Sequence, residues 1–282
     1  MTTARSRAAA SPSCWAARQT MGQEILLERR DSVTTVTLNR PDQRNAISYA
    51  MWLELADVFR HLDADQETRV VVVRGAGDAA FSAGADIKDF EAHRSDGAKA
   101  RQYSAAAEGA MQSLAACSRP TIAMIQGYCV GGGCELAIFA DMRIAATGSK
   151  FGIPAARLGI VIGHREVRRL VALVGPGAAM HMLLIARTLG ADEALRVGLV
   201  DAVVPVAELE GHTYALAEEI AGLAPLSHAG HKRVLASVLE DPSLVSLSAE
   251  ERDAPFRAFD SEDYREGVRA FLEKRKPRFL GR

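Results

Sequence analysis

Four consecutive valines, Val70-Val71-Val72-Val73, constrain this chain more than any other segment. The run is too short and too branched for a helix, so it reads as a buried strand around which the other segments must be arranged. Upstream, Ile25 to Glu28 and Val33 to Leu38 are short β-rich runs closed by the turn-forming Asn39-Arg40-Pro41-Asp42, a hairpin pattern. From Ser48 the spacing of Leu53, Ala56, Phe59 and Leu62 predicts a helix with one apolar face. The plan then repeats. An Ala-rich helix is expected over 98–116, a turn at Pro120, a strand over 121–126, a glycine-rich turn opening a helix over 129–140, and a strand over 142–146. This spacing suggests β-β-α units and an α/β fold. Helical periodicity dominates afterwards, at 167–174, 177–188, 191–197 and 206–223. The expected organisation is an extension over 1–20, a main domain over 21–223 and a helical region over 224–282 that packs on something else.

With 282 residues and a hydrophobic fraction of 48%, the chain can bury a sizeable core. Its 34 basic and 35 acidic residues nearly cancel, so no whole-molecule field gathers nucleic acid or an anionic membrane, and an anionic ligand must be held locally. Cys14, Cys117, Cys129 and Cys134 lack CxxC spacing and His-rich neighbours, so they read as reduced, mostly buried thiols rather than metal ligands. No run of about 18 apolar residues suggests a membrane span. The first 20 residues are rich in Ala, Ser and Arg, with no acidic residue before Glu24, and are expected to be disordered. They fit either a reading frame extended upstream of Met21, with a cytoplasmic protein, or a transit peptide to the mitochondrial matrix.

Two glycine-rich turns are candidates for chemistry. Gly75-Ala76-Gly77-Asp78-Ala79-Ala80 imitates a dinucleotide fingerprint, but a Rossmann turn leads straight into a helix, whereas here Phe81 to Asp86 prolongs the loop. Ser82 approximates a nucleophile elbow with His164 downstream, yet the elbow needs its serine immediately between strand and helix. A loop serine capping nearby backbone is the simpler reading. The second turn, Gly131-Gly132-Gly133-Cys134-Glu135, precedes an apolar helix. Uncovered N–H groups at such a helix start suit an anion or a developing oxyanion. Equally, Glu135 there could simply complement the helix dipole, and the glycines could serve tight packing.

Taken together, Ala80-Phe81-Ser82-Ala83-Gly84-Ala85-Asp86-Ile87-Lys88 and Gly127-Tyr128-Cys129-Val130-Gly131-Gly132-Gly133-Cys134-Glu135-Leu136 resemble the two signature segments of the crotonase (enoyl-CoA hydratase/isomerase) superfamily. Similarity extends to Thr37-Leu38-Asn39-Arg40-Pro41 with Asn45-Ala46, to Phe151-Gly152, and to Arg265-Glu266-Gly267, so it runs from about Glu24 to the end. The resemblance implies a spiral of ββα turns followed by a C-terminal helical region that builds trimers, commonly paired into hexamers. It implies that an acyl-CoA thioester oxygen lies between the N–H groups of Ala85 and Gly132, with Glu135 as the catalytic carboxylate. It further implies a coenzyme A site along Ala83, Ala85, Asp86, Ile87 and Lys88, with Gly132 beside it. By the same resemblance, Lys88 and the basic run Lys274, Arg275, Lys276 and Arg278 are expected phosphate partners, the run reaching a neighbouring subunit. Coenzyme A enters as part of the substrate, and no metal or resident cofactor is implied.

The chain departs from the family pattern at one telling place. Hydratases of this family usually carry a second glutamate directly after the Phe-Gly-x-Pro turn, where this chain has Ala155. Two carboxylates can divide the labour, one activating water and the other handling the α-proton. With Glu135 alone, concerted water addition is less well served; the resemblance still leads to the expectation of an enoyl-CoA hydratase or double-bond isomerase, with an acyl-CoA decarboxylase or a catalytically weak acyl-CoA binder as the alternatives. His164 and Glu166 follow in place of a small, Gly-rich stretch and could reshape the acyl pocket, with Glu166 a substitute carboxylate if it points inward; charges at a helix start are usually solvated, so both are expected in water.

Overall fold

In the computed structural model, which describes residues 19–20 and 23–282, the valine run lies inside a seven-stranded sheet. The chain runs through β1 (Gln19–Thr20), β2 (Ile25–Arg30), β3 (Val33–Leu38), α1 (Tyr49–Ala64), β4 (Val70–Gly75), β5 (Ala80–Ser82), α2 (Asp89–His93) and α3 (Gly97–Ala116). It continues through β6 (Thr121–Ile125), β7 (Tyr128–Val130), α4 (Gly132–Phe139), β8 (Met142–Ala146), β9 (Lys150–Gly152) and α5 (His164–Ile185). Then come β10 (Leu189–Gly190), α6 (Ala191–Arg196), β11 (Ala202–Val204), α7 (Leu209–Ala221), α8 (Pro225–Glu240), α9 (Ala249–Asp253) and α10 (Glu262–Leu272). Residues 1–18 of the expected extension lie outside the described residues, whereas Gln19–Thr20 pair antiparallel with β2.

The large sheet has the order β1-β2-β3-β4-β6-β8-β11, and from β3 onwards every pairing is parallel. The β2–β3 hairpin turns at Asp31, whose φ of 53° lies in the left-handed region that such tight turns require. Parallel strands need crossovers: α1 alone makes the one from β3 to β4, and each later crossover also lays a short strand in a second sheet of order β10-β9-β7-β5. The units β4-β5-α3, β6-β7-α4 and β8-β9-α5 thus form the ββα spiral that the spacing suggested. The short strands were not legible beforehand: Ala80–Ser82, read as loop, is a strand of three residues, too few to show a period.

The valines explain the layering. Val71 and Val73 face the cluster built by α1, α3 and α4, while Val70 and Val72 face a second cluster beneath α7. A strand covered on both faces has no polar side, so all four positions are apolar. Ser48 accepts a hydrogen bond from the Met51 N–H and starts α1; Asp96 does the same for Ala98 and Lys99 at the start of α3. α5 is broken at Gly175 (φ 73°, ψ 164°) ahead of Pro176, matching the gap between the two expected helical segments. Among the described residues it is the one helix that is long and apolar enough to cross a membrane, but the break leaves two pieces each too short to do so. The C-terminal helices dock on the sheets through Lys232, whose Nζ lies 2.6 Å from Asp141 Oδ2 and 3.0 Å from the Arg119 carbonyl oxygen.

Candidate active site

β5 and β7 are parallel neighbours, so the loops leaving their C-terminal ends emerge at one edge, where parallel sheets commonly gather ligand-binding loops. The first loop carries residues 83–88 and the second runs through Gly131 into α4. They touch at Gly84, whose φ of 100° and close approach both demand glycine: a Cβ there would stand 2.9 Å from the Val130 oxygen and 3.2 Å from the Gly132 nitrogen. Reciprocally, a Cβ on Gly132 would stand 3.5 Å from the Ala85 nitrogen. Surrounding amides are spent, since Gly84 N donates to Ser82 Oγ (3.1 Å), Asp86 N to Ile47 O (2.9 Å) and Gly131 N to Gly152 O (2.8 Å). Among the described residues neither the Ala85 nor the Gly132 N–H meets a protein acceptor. Gly132 opens α4, and the first N–H groups of a helix have no partner within it.

The first loop is held by a clamp at the end of the hairpin. Asn45 is fully buried; its side-chain amide donates to the carbonyls of Ala76 (2.9 Å) and Ala80 (2.7 Å), while its oxygen accepts from Arg40 N (3.0 Å). Arg40 in turn reaches Asp86 Oδ2 at 2.7 Å and Glu24 Oε1 at 2.9 Å. Burial alone would raise the Asp86 carboxyl, but the Arg40 guanidinium and the Lys88 N–H outweigh it and hold the group below the usual range. Asn45→Ala strands three polar groups, so the unfolding free energy should fall by about 3 kcal/mol. Denaturant unfolding checks this, and an unchanged midpoint would contradict the clamp.

Both loops open on a cavity of about 320 Å³. Of the expected site residues, Ala83, Ala85, Ile87, Gly132 and Glu135 line it. Trp52, Phe90, Tyr103, Met111 and Ile153 supply apolar wall, and Arg94, Glu108, Arg157 and Glu166 supply charge. Glu135 stands one helical turn beyond Gly132. Burial, reinforced by the Glu166 charge and opposed by Arg94, pushes its carboxyl up to about 7. The Tyr103 hydroxyl accepts a hydrogen bond from Trp52 Nε1 (2.9 Å) and is pushed up to about 12, chiefly by burial, so it remains protonated. The Arg94 guanidinium lies 4.3 Å from the Tyr103 ring centroid.

Glu166 corrects an expectation. Instead of standing in water at the start of α5, it is 5% exposed and lines the cavity. The first turn of α5 brings it to the cavity wall, and the carboxyl packs against Gly163, where a Cβ would stand 2.3 Å from Glu166 Oε2. Among the described residues that oxygen has no hydrogen-bond partner, and burial raises the group's pKa. His164 is exposed, as expected, and does not line the cavity.

Three further expected residues lie off the cavity wall. Asp86 belongs to the clamp, Lys88 is exposed beside α2, and Lys274 follows α10 with a φ of 54°. Arg275 is engaged by Glu266 (2.6 Å) and Glu273 (2.6 Å), which fixes the end of α10. Ser82 is fully buried and caps Gly84, as the simpler reading held. β5, not a helix, follows Gly77, so the dinucleotide reading lacks its helix. Cys117, Cys129 and Cys134 are free and buried; Cys14 lies outside the described residues. Sequence reasoning missed Tyr103, Arg94 and Glu108. The four-residue spacing of Tyr103, Ala107 and Met111 was the available signal for the cavity-facing side of α3.

The family model described as enoyl-CoA hydratase/isomerase matches residues 28–282. The crotonyl-CoA hydratase of Syntrophomonas wolfei is 35% identical over 260 residues, covering 92% of this chain and 99% of that protein. The carnitinyl-CoA dehydratase of Escherichia coli is 35% identical over 269 residues, covering 93% and 100%. Among solved structures, an enoyl-CoA hydratase/carnithine racemase from Magnetospirillum magneticum superposes with a TM-score of 0.89 at 40% identity, covering 94% of this chain and 97% of that one.

Proposed function

Because the chain belongs to the enoyl-CoA hydratase/isomerase family, we propose that it binds an enoyl-CoA thioester and hydrates or isomerises its double bond through an enolate held by the N–H groups of Ala85 and Gly132. The observation that carries this reading is the pair of unpartnered amides, on two touching loops, opening on the same cavity as Glu135. Removal or delivery of an α-proton puts negative charge on the thioester oxygen, and donors aimed there stabilise the transition state more than the ground state. Glu135, raised to about 7, changes protonation state near neutrality and is suited to move that proton. Coenzyme A enters as part of the substrate, and no step calls for a resident cofactor. Ile87, 72% exposed at the cavity mouth, with Lys88 beside it, supports placing the coenzyme A moiety along this loop. Lys274 is assigned to the same moiety by resemblance alone.

Wild-type protein assayed with crotonyl-CoA, a β,γ-enoyl-CoA and methylmalonyl-CoA tests the proposal. Turnover of either enoyl-CoA supports it, whereas decarboxylation alone, or coenzyme A binding without turnover, would contradict it.

The helical end is proposed to join copies of this chain into trimers or hexamers. Its support is apolar surface uncovered in the single chain, including Phe256 (63% exposed), Phe271 (83%) and Leu272 (74%). Light scattering coupled to size exclusion should give three or six times the 30.3 kDa chain mass; a monomer at micromolar concentration would contradict this. A cytoplasmic setting is the corresponding expectation, in keeping with the bacterial sources of the relatives above.

A further inference from the structure

Resting on the hydratase/isomerase reading, the geometry points to Glu166 as the second catalytic carboxylate of this site, activating the water that adds to the β-carbon, in place of a glutamate at Ala155. Ala155 and Glu166 line the same cavity, so a carboxyl absent from one part of the wall is supplied from another. The Glu166 side chain is nearly enclosed, and its Oε2 has no partner among the described residues. A carboxylate kept only for structure would have its buried oxygens paired, since an orphaned one is costly. Gly163 leaves the space that this oxygen occupies. Glu108, the remaining carboxylate on the wall, is less suited to the role because its Oε2 lies 3.6 Å from the Arg165 guanidinium.

The two carboxylates also divide by position. Glu135 stands on the helix whose first N–H belongs to Gly132, which brings it to the α-carbon side of the thioester. Glu166 enters from α5, beside the Ile160 to Gly163 wall, and on this inference it faces the β-carbon. In the hydration direction, ionised Glu166 takes a proton from water as the water oxygen bonds to the β-carbon. The π pair of the double bond moves toward the thioester, giving the enolate. Protonated Glu135 then delivers its proton to the α-carbon, and the thioester carbonyl re-forms. Water has added as H and OH, and the pair resets by returning one proton from Glu166 to Glu135. Burial and mutual repulsion favour one shared proton over two charges, with Glu108, Arg94, Arg157, His164 and Arg165 as the other charged or titratable groups around the pair.

Glu166→Gln is the test, read by two assays on the full-length protein. Hydration of crotonyl-CoA should fall about 100-fold or more in kcat with KM little changed. Exchange of the α-protons of butyryl-CoA with deuterium oxide, which needs Glu135 and the amides but no added water nucleophile, should stay within about threefold of wild type, by the same division of labour. Glu166→Asp should recover part of the hydration, and the melting temperature of each variant reports folding. Hydration by Glu166→Gln at the wild-type rate would overturn the inference while leaving the proposed function standing. Equal loss of both activities with a lower melting temperature would also overturn it, by showing a structural role. A wild type that isomerises but never hydrates removes the inference alone; one that neither turns over an enoyl-CoA nor exchanges α-protons removes the proposed function as well.

Discussion

Glu135→Gln is expected to lower enoyl-CoA turnover by about 10³-fold while making the folded protein more stable above pH 7. The first effect follows because an amide can neither take nor deliver the α-proton. The second follows from where the carboxyl sits. Burial and the neighbouring Glu166 raise it from 4.5 to about 7, so between those values the folded protein holds a proton that the unfolded chain has lost. The stability this group contributes is therefore complete below 4.5 and is lost as pH rises through 7. Ionising it in the folded state costs on the order of 3 kcal/mol, reduced where water in the cavity reaches the carboxylate. A glutamine does not ionise and escapes that cost. Melting temperatures of wild type and variant should converge toward pH 4.5 and separate at pH 8, with the variant higher. A variant less stable at pH 8, or one that retains turnover, would contradict the role given to Glu135.

Gly132→Pro is expected to reduce kcat by about 10²–10³-fold relative to Gly132→Ala, the usual effect of deleting one oxyanion donor. Gly132 is the first residue of α4, where proline fits because no intrahelical bond is lost. The preceding Gly131, at φ 53° and ψ −130°, is outside the α region that a following proline disfavours. Alanine serves as the control because it introduces the same Cβ, 3.1 Å from Trp52 Cζ2, but keeps the N–H. Because the proline ring carbon on that nitrogen stands where the hydrogen pointed, binding of a saturated acyl-CoA, whose carbonyl oxygen meets the same position, should weaken as well as turnover. Equal kcat for the two variants would show that the Gly132 donor is not used.

Much of the fold was legible because its main elements carry a period. The valine run, the hairpin, α1 and α3 are long enough to declare their type, and the gap before Gly177 marked the break in α5; the face of α1 was read less well, since Leu53, expected on it, is exposed and Met51, Trp52, Leu55 and Val58 are buried instead. β5, β7 and β9 are each three residues long and owe their strand character to pairing with one another, which no local pattern reveals. At the site, the glycines were legible as backbone that must lie uncovered, and the resemblance assigned them a chemistry. Arg40 and Asn45 were legible only as likeness; their hydrogen bonds show the physical reason, which is to hold the loop that presents Ala85. Asp86 was expected at the coenzyme A site by resemblance, as part of a segment making largely backbone contacts; its carboxylate is committed to Arg40. Glu166 was expected in water because helix starts are usually solvated. Its burial depends on the first turn of α5 meeting the cavity wall, a tertiary event that the residues around it do not announce.

The central claim is that one thioester oxygen is shared by two main-chain amides from separate loops. A crystal structure of the protein with acetoacetyl-CoA tests it most directly. The thioester oxygen should lie about 2.7–3.1 Å from both the Ala85 and the Gly132 nitrogens, with Glu135 facing the α-carbon. An oxygen bound elsewhere, or reaching only one of the two nitrogens, would contradict the account.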